Sequence, residues 1–468
     1  MYNKLSEEIL EGFKKIIGEK NVIYDREKII DYSHDEITLK EFYNLPEVVL
    51  KPNDDLEISE ILKICYREKI PVTARGGGTG LSGGCIPIYG GVIIDFENMK
   101  KVIEVDKENF TITVEAGLTL KEFYEIVNKH NMFFPPHPGD ESATIGGLIA
   151  TNAGGARAVK YGVMRNFVKE IEVVLPDGSI ETFGGKYKKC SSGYSLLNLF
   201  IGSEGTLGII TKATISLIPP SEKIYTLIIP FKDLGQGIKV SPLIIQKKII
   251  PLAIEFLEKN IINLVENYLN KKWPCEIGNA YLMIMVDGSE EETLKTSEKI
   301  AEICSENGAL DVFIIEDEKR QKEVLDMRSM IYEALKSNTL EILDITVPVS
   351  KIYNFVYEVK KIEEKYKTYI PIYGHAGDGN VHTHIMKGKF EENKWVEIEN
   401  WKEKYKLVKD EIHIIGKNLN GILSGEHGIG LLKKEYLSLF FSEKHINLMK
   451  EIKKIFDPHD ILNPGKIF

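Results

Sequence analysis

Three of the ten histidines in this chain fall in one short run, Gly374-His375-Ala-Gly-Asp-Gly-Asn380-Val-His382-Thr-His384. Residues 369–375 and 381–386 read as strands around a Gly-Asp-Gly turn, which predicts a hairpin with 377–380 as its loop. In that register His375 sits across from His382, so both imidazoles lie on one face of the pair. Two neutral imidazoles on adjacent rigid strands suit a divalent transition metal, and a carboxylate would complete the donor set. Ser424-Gly-Glu426-His427-Gly-Ile-Gly430 offers that carboxylate between glycines, where backbone can approach closely. His384 follows His382 by two residues and points to the same face. Three roles stay open for it: a fourth ligand, a substrate contact or a structural support.

A second kind of chemistry is written in glycine. Arg75-Gly76-Gly77-Gly78-Thr79-Gly80-Leu-Ser-Gly83-Gly84 contains the G-x-G-x-x-G spacing of a dinucleotide loop. The doubly wound nucleotide fold needs a helix starting at the last glycine, so that its N-terminus holds the pyrophosphate. Here Pro87, Gly90 and Gly91 intervene and the next element reads as a strand, so that fold is excluded. Consecutive glycines still leave backbone N–H groups unshielded, and such a nest binds phosphate without a helix. Two further glycine-rich loops, at 144–155 and 202–208, point to one extended, phosphate-bearing ligand.

The elements that must position these residues follow from periodicity and turn chemistry. Residues 7–17 and 58–67 read as amphipathic helices, 48–51 and 71–74 as strands, and 91–95, 101–105 and 111–114 as further strands. Residues 120–130 read as a helix. Pro176-Asp-Gly178 turns a hairpin between 171–175 and 179–181, and 209–217 is a strand. Pro219-Pro220 punctuates the chain. Beyond it, strands at 226–230, 281–286 and 312–315 alternate with charged helices at 290–306, 318–337 and 350–365. The last stretch, 421–468, is again rich in glycine and ends in Asn463-Pro-Gly465.

Taken together these motifs resemble a known family. Arg75-Gly-Gly-Gly-Thr-Gly80, Pro136 and Pro138-Gly, Thr144-Ile-Gly-Gly147, Asn152-Ala-Gly-Gly155, Tyr161-Gly162 and Gly202-Ser-Glu-Gly-Thr-Leu-Gly208 resemble the FAD-binding domain of the vanillyl-alcohol oxidase/p-cresol methylhydroxylase superfamily. The C-terminal motifs are similar to those of its D-2-hydroxy-acid dehydrogenases, the D-lactate dehydrogenases and the flavin subunit of glycolate oxidase. The resemblance spans residues 45–468. It implies an α+β fold, with a two-subdomain FAD-binding domain at 1–219, an antiparallel-sheet substrate (cap) domain at 220–420, and a segment at 421–468 that completes the active site. It also implies extended FAD contacted by Arg75, Gly76, Gly77, Gly78, Thr79, Gly80 and Gly83, by Pro138, Thr144, Gly146, Gly147, Asn152, Gly154, Tyr161 and Gly162, and by Glu204, Gly205, Gly208, Ile209, Ile210 and Asn463. The first loop has no histidine and Cys85 lies beyond its core, so the flavin is expected to be non-covalent.

The resemblance further implies that His375, His382 and Glu426 bind a divalent metal, iron or zinc, and that His427 is the base. Arg328, in Asp326-Met-Arg328-Ser329, would clamp the substrate carboxylate through its planar fork. Relatives acting on longer diacids carry a lysine where this chain has Ile342, which favours a small monoacid such as D-lactate or glycolate. Lys433 and Lys466 also fit family motifs, with structural or partner-facing roles. Ser195 departs from the common Gly-Tyr-Asp pattern and resembles the group that passes electrons to electron-transfer flavoprotein. Oxygen and quinone remain open as acceptors.

Composition narrows the alternatives. There are 60 basic and 70 acidic residues, a net charge of −10, so no basic excess draws the chain to nucleic acid. The five cysteines, Cys65, Cys85, Cys190, Cys275 and Cys304, form no C-x-x-C pair, which excludes a cysteine-based cluster or zinc site. The charged N-terminus and the absence of a long apolar run predict a soluble cytoplasmic protein without a membrane span. Two competitors are a metal hydrolase using His375, His382 and Glu426 without flavin, and a flavin-binding electron-transfer subunit with a vestigial substrate site.

Overall fold

Helix Glu7–Ile17 opens the chain, capped by Ser6 and stopped by Gly18 at φ +79°. It buries Phe13 and Ile17 and contributes to a core with Ile58, Ile61 and Leu62 of helix Asp55–Glu68. Each such side chain adds about 1.5–3 kcal/mol of burial. The computed structural model describes residues 2–392 and 394–468. They divide into two compact units, one comprising residues 1–153, 163–220 and 426–468, the other 154–162 and 221–425.

In the first unit, strands Val48–Leu50, Val92–Asp95 and Val72–Arg75 lie parallel, and Val22–Ile23 pairs antiparallel with the first of these. Helix Asp55–Glu68 makes the crossover that parallel pairing requires. A second, antiparallel sheet runs in the order Val102–Asp106, Thr111–Glu115, Ile209–Ser216, Val168–Val174, Ile180–Gly184. The Pro176-Asp-Gly178 hairpin forms as expected, with Val174 opposite Ile180. After Gly83 and Gly84 the chain turns into strand Val92–Asp95, so no helix follows the first glycine loop. The final stretch differs from its glycine-rich reading. It contains the helix Glu443–Phe456, then returns along the sheet edge, where Val72 donates to Ile461 and accepts from Asn463.

The second unit is a seven-stranded, wholly antiparallel sheet. Its order is Phe313–Ile315, Lys223–Phe231, Ala280–Gly288, Ala253–Glu258, Ile372–His375, Asn380–Met386, Thr339–Thr346. One face packs on helices Leu234–Gln246, Glu290–Glu306, Ile352–Tyr366 and Trp401–Asn418 through Phe256, Leu282, Leu343, Phe355 and Ile412. Helix Glu290–Glu306 keeps its expected limits, held by a Ser289/Glu292 capping box. The expected 318–337 helix is two helices, Glu318–Ser329 and Ile331–Lys336, hinged at Met330. Residues 154–162 join this unit rather than the expected 1–219 domain, because Lys160 and Tyr161 both bond Asp287 at the end of its sheet. Among the described residues no helix is long and apolar enough to cross a membrane.

Candidate functional site

The glycine loops of the first unit meet one another. Strand Val72–Arg75 runs directly into the first loop, where a side chain on Gly76 or Gly77 would collide with Thr144 or the Ser142 carbonyl. The loops at 76–80 and 142–147 therefore approach backbone to backbone. Thr144 caps helix Ile145–Thr151, its hydroxyl accepting from the Gly147 N–H at 3.3 Å. The third loop is sewn to the end of that helix, Gly202 N–H donating to Ile149 at 3.0 Å and Glu204 N–H to Ala150 at 2.8 Å. Asn463 Nδ2 donates to the carbonyls of Gly84 and Glu204, both at 2.8 Å. Glycine loops gathered in this way fit a pyrophosphate-bearing dinucleotide.

Several side chains expected at the ligand also make hydrogen bonds within the protein. The Arg75 guanidinium donates to the His34 carbonyl at 2.6 Å and to Cys85 Sγ at 3.2 Å. Asn152 Oδ1 accepts from the Arg165 N–H at 3.0 Å. The Tyr161 hydroxyl lies 3.1 Å from Asp287, in the second unit. The buried Glu204 carboxylate accepts from the N–H groups of Ile429 and Gly430 at 2.7 and 2.8 Å. Burial raises its pKa, and those two N–H groups oppose the rise. Ser82 Oγ donates to the carbonyls of His427 and Gly428, both at 3.1 Å. Ser82 and Glu204 thus hold the backbone on which the His427 ring is mounted. The ring Nε2 stands 3.9 Å from Glu426 Oε1.

Asp35 packs against the same loop. It is 3% exposed, its Oδ1 accepts from Ile37 N–H at 3.2 Å, and its Oδ2 has no hydrogen-bond partner among the described residues. Burial pushes its pKa up to about 7, against the Ile37 N–H and the Arg75 charge. An acid raised in this way favours the fold fully below its unfolded pKa, and the contribution is lost as pH rises through the folded value. The melting temperature of the native chain should therefore fall between about pH 4 and about pH 7 relative to Asp35→Asn, by an energy of at most about 4 kcal/mol. Parallel pH profiles for the two proteins would rule this out.

In the second unit the histidine hairpin differs from its expected register. His375 pairs with Asn380, and His382 with Tyr373. The four-residue turn lies at 376–379, one residue earlier than the expected 377–380, and this shifts the pairing by two residues. A two-residue shift keeps the face, because side chains alternate with period 2. The imidazoles of His375 and His382 are diagonal neighbours, ring centroids 5.3 Å apart and edge to face. Ile342, Asp344, Tyr373, Asn380 and His384 share that face.

Glu255 joins it from strand Ala253–Glu258, directly opposite His375. Its carboxylate is fully buried and bridges two of the expected site residues. Oε1 lies 2.5 Å from His375 Nδ1, and Oε2 lies 2.7 Å from Arg328 Nε and 2.5 Å from Arg328 Nη2. Burial alone would raise its pKa, but its contacts with His375 and Arg328 overcome burial and hold it low. The Arg328 guanidinium lies over the Tyr373 ring at 4.9 Å. His384 has both ring nitrogens engaged, Nε2 with the Tyr373 hydroxyl and Nδ1 with the Thr339 hydroxyl, each at 3.0 Å.

Asp344 organises the next part of the chain. Its Oδ1 accepts from Asn380 Nδ2 at 2.7 Å, and its Oδ2 accepts from Ser424 Oγ at 2.8 Å and from the Gly425 N–H at 3.0 Å. That fastens the backbone to the residue before Glu426. His382 Nδ1 lies 3.9 Å from Asp344 Oδ1. Two imidazoles, one with its Nδ1 given to a carboxylate, fit a divalent transition ion. Glu255, Asp344 and Tyr373 were not among the residues expected at the site. The available signal was a single charge inside an apolar strand, as in Ala253-Ile-Glu255-Phe and Leu343-Asp344-Ile, since a buried charge must have partners.

Comparison with known proteins agrees with these two halves. Residues 46–184 match the model of an FAD binding domain, and residues 220–467 match that of the C-terminal domain of FAD linked oxidases. The chain is 38% identical to D-lactate dehydrogenase of Anaerostipes hadrus over 100% of this chain and 98% of that protein. It is 36% identical to glycolate oxidase subunit GlcD of Bacillus subtilis, over 99% of this chain and 97% of that protein. Among solved structures, p-cresol methylhydroxylase with substrate bound superposes with a TM-score of 0.79 at 15% identity, covering 100% of this chain and 98% of that one. That likeness shows the fold, α+β with an FAD-binding domain and a cap domain.

Proposed function

We infer that this chain, which belongs to the family of FAD-linked oxidases, oxidises a small D-2-hydroxy acid, D-lactate first among them, to the 2-oxo acid. The observation that carries this reading is the buried Arg328–Glu255–His375 chain on the sheet face that also bears His382. It supplies a cation for a carboxylate and an oriented imidazole for a metal on one rigid support.

When bound, FAD supplies the hydride acceptor, and a divalent ion of iron or zinc supplies the charge that acidifies an α-hydroxyl. His375, His382 and Glu426 would hold that ion. Arg328 receives the substrate carboxylate through the edge that Glu255 does not occupy. His427 accepts the hydroxyl proton on an imidazole nitrogen, a task that suits a group titrating near neutrality. His384 fixes the Tyr373 hydroxyl beneath the arginine and thereby shapes the substrate's surroundings. Ile342 offers no second cation on this face, which favours a monoacid over a diacid. The loops at 76–83, 144–147 and 202–208, with Asn463, would hold the flavin without a covalent bond. Glycolate and other 2-hydroxy acids are the alternative substrates within the same chemistry.

The two electrons must leave the reduced flavin for an external acceptor. Electron-transfer flavoprotein is the proposed one, on the Ser195 pattern, and the cytoplasm the proposed location. The deciding experiment is an anaerobic visible spectrum before and after D-lactate is added. Bleaching of a flavin band supports the reading. A band that persists with D-lactate, glycolate and longer 2-hydroxy acids would leave an electron-transfer subunit. No band after FAD reconstitution would return the metal hydrolase.

A further inference from the structure

Two of the buried acids of the second unit, Glu341 and Glu255, pair with a cation from a neighbouring element and face opposite ways. Glu341 sits on strand Thr339–Thr346 and meets Lys409 at 2.9 Å, together with the Tyr405 hydroxyl, on helix Trp401–Asn418. This is a structural pair, remote from the histidine face. Glu255 is different, because both its oxygens are committed to residues with proposed roles in chemistry.

We propose that Glu255 is the positioning residue of the site, one carboxylate that sets the tautomer of His375 and the orientation of Arg328 together. The inference rests on the reading of His375 as a metal ligand and Arg328 as the carboxylate clamp. The chemistry leaves little freedom. A carboxylate shared between a guanidinium and an imidazole accepts from both, so the proton on His375 sits on Nδ1. The Nε2 lone pair is then the one presented to a metal. The second oxygen takes Nε and Nη2 of Arg328, the side-on edge of the guanidinium. A substrate carboxylate must therefore approach by the Nη1 edge, and the Tyr373 ring beneath fixes the plane. The strand pairing puts Glu255 directly opposite His375, so the backbone ladder itself sets the spacing.

Glutamine at this position has nearly the same shape but can offer either an oxygen or an NH2 group. The tautomer of His375 is then no longer imposed, and the charge that holds Arg328 is gone. In flavin-loaded Glu255→Gln, Zn²⁺ affinity measured by competition with a chromogenic chelator should fall about 10- to 100-fold. KM for D-lactate should rise as well. Glu341→Gln removes a buried charge from the same sheet and is the control. It should lower the melting temperature comparably while leaving Zn²⁺ affinity and KM unchanged. Equal Zn²⁺ affinity and KM in Glu255→Gln and the native chain would overturn the proposal, as would loss of both to the same extent in the two variants. Native protein that binds no Zn²⁺ would overturn it too. The hydroxy-acid reading would then still be judged separately by flavin bleaching. Should Glu255→Gln not accumulate, Glu255→Asp takes its place with the same two readouts and the same expected losses. It keeps the charge but is one methylene too short to reach both partners.

Discussion

Replacing His427 by alanine is expected to leave a yellow, folded protein whose flavin is no longer reduced at a useful rate by D-lactate. General bases contribute about 10²- to 10⁴-fold, and the loss should fall in that range. The expectation of an intact fold comes from how the residue is attached. The interactions that hold this segment reach its backbone: Ser82 bonds the His427 and Gly428 carbonyls, and Glu204 bonds the Ile429 and Gly430 N–H groups. Truncating the ring leaves these bonds in place. Anaerobic stopped-flow reduction of the bound flavin is the direct measurement, since it sees proton and hydride removal without the acceptor. Reduction at the native rate would remove His427 from the role of base. Loss of the flavin itself would mean the side chain serves the cofactor loops instead.

The second large effect is expected at Arg328, which should show losses in both stability and catalysis. In Arg328→Ala the fully buried Glu255 loses one of its two partners. Removing one member of a buried pair costs about 3–5 kcal/mol, and retention of His375 places this case at the lower end. The same change deletes the cation proposed for the substrate carboxylate, and kcat/KM for D-lactate should fall about 10²-fold or more. Arg328→Lys separates the two losses. Its ammonium restores a charge beside Glu255 and most of the stability. It cannot reproduce the planar fork, so kcat/KM should stay low. Melting curves and steady-state kinetics on the three proteins test both statements. A lysine variant with native kcat/KM for every 2-hydroxy acid would show that the fork is not what reads the substrate.

The glycine loops were the most legible part of the chain. Their composition permits little besides close backbone approach, and the structure places three of them and Asn463 in mutual contact. Side-chain roles inside them were less legible. Arg75, Asn152 and Glu204 belong to motifs that suggest a ligand, and each also hydrogen-bonds within its own chain. A motif specifies which residue types recur near a ligand, not which of them turn toward it. The register of the histidine hairpin was misjudged for a related reason. The place of the turn sets register, and a run of Gly, Asp and Gly accommodates a four-residue loop at 376–379 as well as at 377–380.

Amino-acid order alone was enough to exclude the helix-dependent dinucleotide loop, because Pro87, Gly90 and Gly91 bar a helix after Gly83. It was also enough to put His375 and His382 on one strand face, because alternation with period 2 survives an even shift of register. Tertiary structure decided what stands beside them. Glu255 precedes His375 by 120 positions and is, in sequence, a single charge in an apolar strand. Antiparallel pairing of Ala253–Glu258 with Ile372–His375 makes it the carboxylate that joins His375 to Arg328. Asp344 likewise holds Ser424 and Gly425, 80 and 81 positions further along the chain. Local periodicity reports the direction of a side chain. The partner it finds depends on which distant strand the sheet brings alongside, and that is settled by burying the whole apolar face at once.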